Sequence, residues 1–448
     1  MMKTLLYDML HPKTFYAAQR PILRMTFICG MTPFTVMMKG KDAELRSNSF
    51  GYFNTSIHTI IFCTCYVISL VKKENITGYF FSTEISTLGN ILQVLCGLVA
   101  LVMTFFYSIF QRKHLINAFH ALARTDESFK NIGVETNYRS TLMYHYLIIL
   151  GQLLVQGSFM GVSLAIFFCS GVYPCLPAWT SFFLPSLMIS LVIVMFLSLV
   201  NQIKHRFHLL NKVLISLREI CLEKKEAEYN EKQDEVKILT IRNPLGISSV
   251  YSGNTNRYMP DVVVKVAQIQ DELCDACANV ENYFNIQMLA IVAIAFLIGV
   301  FDTYYILETI FANSATNTVF SKLQFVAFFF GQAMVNSFGI MTIVYVSSLA
   351  TKENDKIAVN VHKLMNLNHF DEDLVKQLTN FSLQLTHRKV AFTAYGFFNL
   401  DFTLLFTLTG AATTYLVILV QFTLSKSATC HHLLQNASQT VSRNESEF

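Results

Sequence analysis

Several polar and aromatic side chains interrupt segments of this chain that are otherwise apolar enough to lie in lipid. The most costly is Asp302, in the stretch FDTYYILET, because an ionised carboxylate inside a membrane must be paired or hydrated. Such acids mark functional sites by default, although a buried hydrogen-bonded cluster between helices is an equal alternative. Aromatic walls with a few converging polar groups are typical of a small-molecule site. The candidate ligand-binding residues are Trp179, Asp302, Tyr304, Tyr305, Phe328 and Gln332.

A second set of polar residues follows a helical period near the end of the chain. Its members recur at alternating steps of four and three residues, which places them on one face of a helix: Thr403, Thr407, Gly410, Thr414, Val417 and Gln421. Hydroxyl and amide groups on such a face can solvate a passing ion, whereas the plainer alternative is a face where membrane helices pack. Phe422 lies about 100° further around the helix, where a ring of phenylalanines would close a pore by dewetting. The candidate pore and gate residues are therefore Thr414, Val417, Gln421 and Phe422.

We find no motif that predicts an enzyme or a cofactor. The sequence contains no phosphate-binding loop, no HExxH and no nucleophile elbow. Cys274 and Cys277 form a CxxC without the second pair that a zinc site requires. Cys169 and Cys175 share the short stretch CSGVYPC, and a disulfide or two free thiols are equally compatible with it.

The elements that must position these residues are membrane helices. Hydrophobic residues make up 53% of the 448-residue chain and charged residues 14%, and the mean hydropathy is +0.42. Soluble domains carry about 25% charged residues. We therefore predict an all-α polytopic membrane protein, since roughly 20 apolar residues cross the bilayer as a helix. The seven predicted spans are 55–71, 87–110, 142–168, 176–202, 284–311, 323–350 and 397–424.

The distribution of basic residues predicts the orientation of the chain. If loops alternate between the two sides, one side holds 29 of the 34 Lys and Arg residues. The positive-inside rule then places the N-terminus in the cytoplasm and the C-terminus outside. Glycosylation sequons at Asn75, Asn436 and Asn444 lie on the predicted outer side, whereas Asn54 and Asn380 lie on the inner side.

This orientation divides the chain into five regions. Residues 1–54 form a cytoplasmic N-terminal segment, and residues 55–350 form a six-span bundle for the ligand with a cytoplasmic linker at 203–283. Residues 351–396 form a cytoplasmic anchor helix, 397–424 the pore-lining span and 425–448 an extracellular tail. Acidic and basic residues balance in the linker, so we expect no nucleic acid as a partner.

The end of the chain resembles the insect gustatory receptor family. Thr414-Tyr415, five apolar residues and Gln421-Phe422 are similar to the TYhhhhhQF signature that closes the last span of those receptors. The stretch before it also resembles the family: HRKVAFTAYGFFNLDFTLLFTLTGAATTY. Two stretches further upstream resemble the branch of the family with broad bitter, nucleoside and warmth responses. They are IAFLIGVFDTYYILETIF and LQFVAFFFGQ. The likeness is strongest over 284–424, and in the first four spans it is mainly one of topology.

The resemblance implies a seven-span chemoreceptor that is a ligand-gated, nonselective cation channel in the sensory neuron plasma membrane. It implies a homotetramer whose seventh helices line the pore and whose subunits each bind a small-molecule tastant among spans two to six. A bitter or nucleoside-like ligand is the first expectation, and a sugar-sensing or thermosensory receptor is an alternative within the family. An ion-coupled secondary transporter is the alternative from another class, because Asp302 could couple ions.

Overall fold

The fold consists almost entirely of helices, as the sequence predicts. A computed structural model describes residues 11–32, 34–39, 42–47, 49–72, 74–80, 84–231, 259–311, 319–367 and 372–421. Its helices are α1 (Phe15–Ile28), α2 (Ser49–Lys72), α3 (Glu84–Phe110), α4 (Arg112–Asn131), α5 (Tyr138–Cys169), α6 (Leu176–Glu231), α7 (Met259–Phe311), α8 (Lys322–Met365), α9 (Glu372–His387) and α10 (Phe402–Gln421). Four short strands pair as two antiparallel hairpins, β1 (Phe34–Lys39) with β2 (Asp42–Ser47) and β3 (Thr393–Ala394) with β4 (Phe398–Asn399).

Seven helices in the described part of the chain are long and apolar enough to cross a membrane, and they coincide with the seven predicted spans. They are α2, α3, α5, α6, α7, α8 and α10. The span boundaries differ mainly where helices continue past the apolar run, because backbone hydrogen bonding does not stop at the membrane surface. Charged residues after 202, before 284 and after 350 are polar continuations of the same helices.

Three helices extend well beyond the bilayer and build a second layer. α6 has 56 residues, α7 has 53 and α8 has 44. At about 1.5 Å per residue the longest measures roughly 84 Å, whereas the hydrocarbon core is about 30 Å thick. We call the layer formed by their extensions together with α4 and α9 the anchor layer. The predicted anchor segment 351–396 is thus not one helix but the end of α8, α9 and the β3–β4 hairpin.

Two amphipathic helices complete the anchor layer. Along α4, Leu115, Phe119 and Leu122 are buried at helical spacing, so one face of the helix packs inward against α7. Along α9, Leu374, Leu378 and Phe381 do the same.

An ionic contact fixes the end of α9 on α7. The Nε of Arg388 lies 2.6 Å from Asp271, and the other guanidinium end lies 3.1 Å from Asp275. Burial alone would lower the pKa of Arg388, but the two carboxylates raise it above its usual value. The segment that leads into the hairpin before α10 therefore starts from a residue held by two charges.

A buried polar network ties the N-terminal helix α1 to α5 and α6. Gln19 donates a hydrogen bond of 2.7 Å to the side-chain oxygen of Gln202. One ring nitrogen of His145 lies 2.9 Å from the carbonyl oxygen of Ala18, and the other lies 2.8 Å from the hydroxyl of Ser198. Because a carbonyl only accepts, Nδ1 of His145 must donate to Ala18, which leaves Nε2 to accept from Ser198. When the ring is neutral, these contacts fix it as the Nδ1-protonated tautomer.

A buried ion pair lies one turn further along α6. Arg206 donates two parallel hydrogen bonds to Asp126 of α4, at 2.9 and 2.8 Å. A third goes to the backbone oxygen of Gln202, and the guanidinium lies 5.3 Å from the ring centroid of Phe15. Both charges are nearly inaccessible to solvent, so each depends on the other for compensation.

Gly89 is required where α3 passes close to α7. A Cβ at this position would lie 2.4 Å from the Tyr305 hydroxyl and 2.4 Å from the Phe301 ring. We expect Gly89→Ala to destabilise the protein by about 1–3 kcal/mol through overpacking, seen as a lower surface level and a lower thermal midpoint in detergent. Gly97→Ala is the matched control, because a Cβ there meets nothing within 4 Å. Equal behaviour of the two variants would contradict this close contact.

Candidate functional site

A cavity of about 510 Å³ lies inside the helix bundle, between α2, α3, α5, α6, α7 and α8. Residues of the turn between α2 and α3 also line it, so it occupies the end of the bundle opposite the anchor layer. We call this end the outer end. The volume falls within the range of about 300–1,000 Å³ that is usual for small-molecule sites.

The cavity wall is apolar with inserted amides and hydroxyls. Among the described residues that line it, none carries a formal charge. The amide side chains on the wall are Asn75, Gln93, Gln152, Gln156, Gln332 and Asn336. Apolar contacts come largely from isoleucines of α6 and α7. Such a wall binds uncharged molecules with hydrogen-bonding groups, because an unpaired ionic ligand would lose its hydration without compensation.

The amide side chains of the wall differ in whether they already form hydrogen bonds within the protein. Gln156 donates to the Ser190 hydroxyl at 3.2 Å and accepts from Ser186 at 3.3 Å. Gln332, 8% exposed, has a side-chain oxygen that finds no hydrogen-bond partner within the described part of the chain. A buried acceptor without a donor is unfavourable, so Gln332 would gain a hydrogen bond if its side chain turned this oxygen towards a donor on a bound ligand.

Proline in α6 adds backbone polarity to the same wall. Pro185 lies within the helix and lines the cavity, as does Ser181 one turn before it. Proline has no N–H, so it cannot donate the helical hydrogen bond that the carbonyl of Ser181 would otherwise accept.

Asp302 lies behind the wall, not on it. Its side chain is completely buried, and it accepts a hydrogen bond of 3.3 Å from the amide nitrogen of Gln93, which does line the cavity. The second carboxyl oxygen of Asp302 has no hydrogen-bond partner among the described residues. The structure thus places an amide between this acid and the cavity.

The predicted aromatic residues form a cluster around the outer end of the cavity. This outer aromatic cluster comprises Phe80, Phe159, Phe167, Trp179, Phe182, Phe183, Tyr304, Tyr305, Phe320, Phe325, Phe328 and Phe329. Trp179 stacks on Phe183 at 5.5 Å, and Phe328 stacks on Phe182 at 5.7 Å. Phe159 and Phe182 line the cavity directly. Of the six residues proposed from the sequence, Gln332 lines the cavity and the other five lie in the packing behind it.

The wall also contains residues that sequence reasoning missed. Ser186 and Ser190 are four residues apart on α6, and Gln332 and Asn336 are four apart on α8. Polar residues at this spacing share one helix face, which is the signal that would have found Ser186, Ser190 and Asn336. In the sequence they are obscured by the many other serines and amides of the spans.

The polar stripe of α10 faces away from the body of the subunit. Leu404 is buried on the inner side of this helix, and Leu416 and Leu419 pack against the outer aromatic cluster. Thr414, Val417 and Gln421 are exposed, as are Thr403, Thr407 and Gly410. Phe422 lies outside the described residues.

Hydrogen bonds within α10 use the donors of the stripe and leave its acceptors outward. The hydroxyls of Thr407 and Thr414 each donate to the carbonyl oxygen four residues earlier, at 3.0 and 3.1 Å. The hydroxyl oxygens therefore keep lone pairs on the exposed side. Asp401 accepts from the backbone N–H of Thr403 at 2.8 Å and so caps the helix.

The remaining predicted sites can be placed only in part. Asn75 lies in the turn between α2 and α3 and contributes to the cavity wall. Asn436 and Asn444 lie outside the described residues. Cys169 and Cys175 are not joined to each other and carry free thiols.

Comparison with known proteins gives a consistent picture along almost the whole chain. Residues 19–426 match the family model described as 7tm chemosensory receptor. Gustatory receptor 28a of Drosophila melanogaster is 33% identical over 436 residues, which cover 95% of this chain and 94% of that protein. Gustatory receptor 28b of the same organism is 30% identical over 414 residues, covering 92% and 86%.

Solved structures share the fold at low sequence identity. The insect olfactory receptor OR5 from Machilis hrabei has a TM-score of 0.61 at 12% identity and covers 93% of this chain and 100% of that one. The same receptor in complex with eugenol gives a TM-score of 0.58 at 14% identity, covering 91% and 99%. At these identities the likeness establishes the fold alone.

Proposed function

The chain belongs to the 7tm chemosensory receptor family, and from this premise we propose that it is a gustatory receptor that opens as a ligand-gated, nonselective cation channel. As a multi-pass membrane protein with gustatory receptors among its relatives, it acts in the plasma membrane and not as an enzyme. The ligand enters the cavity of the bundle, and the ion passes along the stripe of α10.

The cavity wall supports a neutral ligand that carries hydrogen-bonding groups. Among the described residues, the wall offers six amides and no formal charge. A nucleoside-like molecule or a sugar satisfies this chemistry, since both combine hydroxyl groups with a less polar face. A protonated alkaloid does not, because the described wall offers no carboxylate. This narrows the bitter compounds that the resemblance suggests to uncharged ones.

The exposed stripe of α10 supports the channel part of the proposal. Threonine, glycine and glutamine gain no free energy from contact with lipid tails. In a membrane such residues lie where helices pack together or where they face water. Only 6% of the apolar stretch of α10 is buried inside the single chain. A homotetramer that brings four copies of the stripe around one axis would hydrate it with a column of water.

The orientation of the chain is part of this proposal. The basic residues concentrate in the anchor layer and the N-terminal segment, which supports placing both in the cytoplasm. The cavity then opens towards the outer face, where tastants arrive. An N-terminal tag that labels on intact cells would contradict this orientation.

Recording from purified protein tests the channel directly. In planar bilayers, a channel gives discrete single-molecule current steps, whereas a secondary transporter gives slow saturable flux without steps. We expect steps whose frequency rises with a neutral agonist found in a calcium screen of nucleosides, sugars and uncharged bitter compounds. Flux without current steps would contradict the channel proposal and favour the secondary transporter.

Gln332→Leu should weaken the response to such an agonist. Loss of one neutral hydrogen bond of about 0.5–1.5 kcal/mol corresponds to a rise in the half-maximal concentration of about 2- to 13-fold. The measurement is a calcium dose–response curve at matched surface level. Phe330→Leu is the control, because Phe330 lies on the same helix but is 53% exposed on the outside of the bundle. An unchanged curve for Gln332→Leu would remove Gln332 from the ligand site.

A further inference from the structure

The turn between α2 and α3, which we call the outer turn (Glu74–Phe80), is held at its beginning by hydrogen bonds. The carboxylate of Glu74 accepts from the backbone N–H of Cys175 at 3.0 Å. The hydroxyl of Ser69 donates to the backbone oxygen of Glu74. The start of the outer turn is thus attached both to α2 and to the loop before α6.

The other end of the outer turn is held by aromatic contacts, most of which are made by Phe80, while Tyr79 meets Phe167 edge to face at 6.0 Å. Phe80 is 2% exposed. Its ring stacks on Phe320 at 4.3 Å and on Phe328 at 4.7 Å. It also meets Phe167 and Phe329 edge to face, at 5.4 and 5.5 Å. This single side chain therefore connects the outer turn with α5, α8 and the segment before α8.

The middle of the outer turn forms part of the cavity wall. Asn75, Thr77 and Gly78 all line the cavity. Ile76 is completely buried, and Thr77 is 3% exposed. The turn has therefore one side against the cavity and the other at the outer end of the bundle, which is the arrangement of a cover.

This position conflicts with the glycosylation sequon that the turn carries. An acceptor asparagine must offer its amide nitrogen at the surface, because the glycan is bulky and solvated. Asn75 instead contributes to the cavity wall, and its side-chain oxygen accepts from the Thr77 hydroxyl at 3.3 Å. Asn75 is half-buried, so a glycan on it would take from the cavity wall a side chain that the wall contains.

We propose that the outer turn is the cover of the ligand cavity, that Phe80 is the latch that closes it, and that Asn75 contacts the ligand and carries no glycan. The proposal rests on the cavity being the ligand site. Entry from outside then requires the Phe80 ring to leave its aromatic partners while the Glu74 end stays attached. The cover also brings Asn75 onto the ligand when it closes.

Access to a cysteine inside the cavity tests the latch without any ligand or current. Ala295 lines the cavity and is small, so Ala295→Cys places a thiol there with little disturbance. The probe is the membrane-impermeant reagent MTSET applied from outside. The background carries Cys169→Ser and Cys175→Ser, which preserves the backbone N–H that Glu74 accepts from. Unreacted thiol is then counted by maleimide labelling of the purified protein, after subtraction of the same background without Ala295→Cys.

Adding Phe80→Ala should speed modification of Ala295→Cys at least 10-fold, and Phe80→Leu should give an intermediate rate because it keeps apolar volume without ring stacking. Phe168→Ala is the control, since Phe168 is an outer phenylalanine that is 71% exposed. Fast modification with Phe80 in place, or equal rates in all variants, would show another route into the cavity and overturn the latch. If Phe80→Ala does not reach the surface, Phe80→Leu alone decides.

Glycan mapping tests the assignment of Asn75 independently. We expect Asn75→Gln and wild type to show the same mobility shift on treatment with peptide N-glycosidase F. A glycan lost on Asn75→Gln would overturn the assignment. Neither test requires current, so both results stand even if the protein proves to be a transporter, and a failed channel recording would leave them unchanged.

Discussion

Replacing Arg206 with methionine should lower the free energy of unfolding by about 3–5 kcal/mol, because the change leaves the carboxylate of Asp126 buried without its counter-charge. The two side chains are 5% and 4% exposed, and they share two parallel hydrogen bonds. The measurement is the thermal midpoint of detergent-solubilised receptor by fluorescence-detected size exclusion, together with the surface level in cells.

Two further variants separate the burial of charge from the loss of packing. Arg206→Met combined with Asp126→Leu removes both charges and should recover most of the stability, since buried pairs are often replaced by apolar residues without loss. Lys356→Met removes an exposed partner of Glu353 and should cost less than about 1 kcal/mol. A single Arg206→Met variant as stable as the double variant would contradict the dependence of Asp126 on this arginine.

Gln421→Glu should raise the permeability of the channel to divalent over monovalent cations. Gln421 is exposed at the end of the α10 stripe, and in the proposed tetramer the change adds one carboxylate per subunit around the axis. A carboxylate ring attracts cations, whereas neutral amides only solvate them. We expect a several-fold rise in the calcium-to-sodium permeability ratio, measured from reversal potentials at matched expression.

The neutral variant Gln421→Asn isolates charge from shape. It shortens the side chain but keeps the amide, so the permeability ratio should stay close to wild type. If Gln421→Glu leaves selectivity unchanged while agonist currents persist, the stripe of α10 packs helices and does not meet the ion.

The seven spans could be predicted from the sequence because the membrane imposes a one-dimensional signal. Each span must present about 20 apolar residues, and no packing partner is needed to recognise them. The stripe of α10 was equally readable, since helical period alone places Thr414 and Gln421 on one face. The helical period does not show whether a face points towards the rest of the subunit or away from it. The structure shows this, because Leu404 is buried on the inner side of α10.

The cavity was harder to predict because its residues come together only in three dimensions. Asp302 drew attention as the costliest intramembrane group, but the fold places it behind Gln93, 209 positions away in the chain. Gln332, which the sequence places at the start of the sixth span, lines the cavity. The pairing of Arg206 with Asp126 could not be predicted either, because nothing in the spacing of these residues links α6 to α4.

The uninterrupted course of α7 makes it a lever between the cavity and the anchor layer. Ile294 lines the cavity, and Asp271, which holds Arg388, lies 23 residues earlier in the same helix, or roughly 35 Å away at about 1.5 Å per residue. A tilt of about 5° at the cavity would carry the far end sideways by about 3 Å over that length. Arg388 lies five residues before the hairpin that enters α10, so a movement of α7 would reach the chain shortly before the pore helix begins.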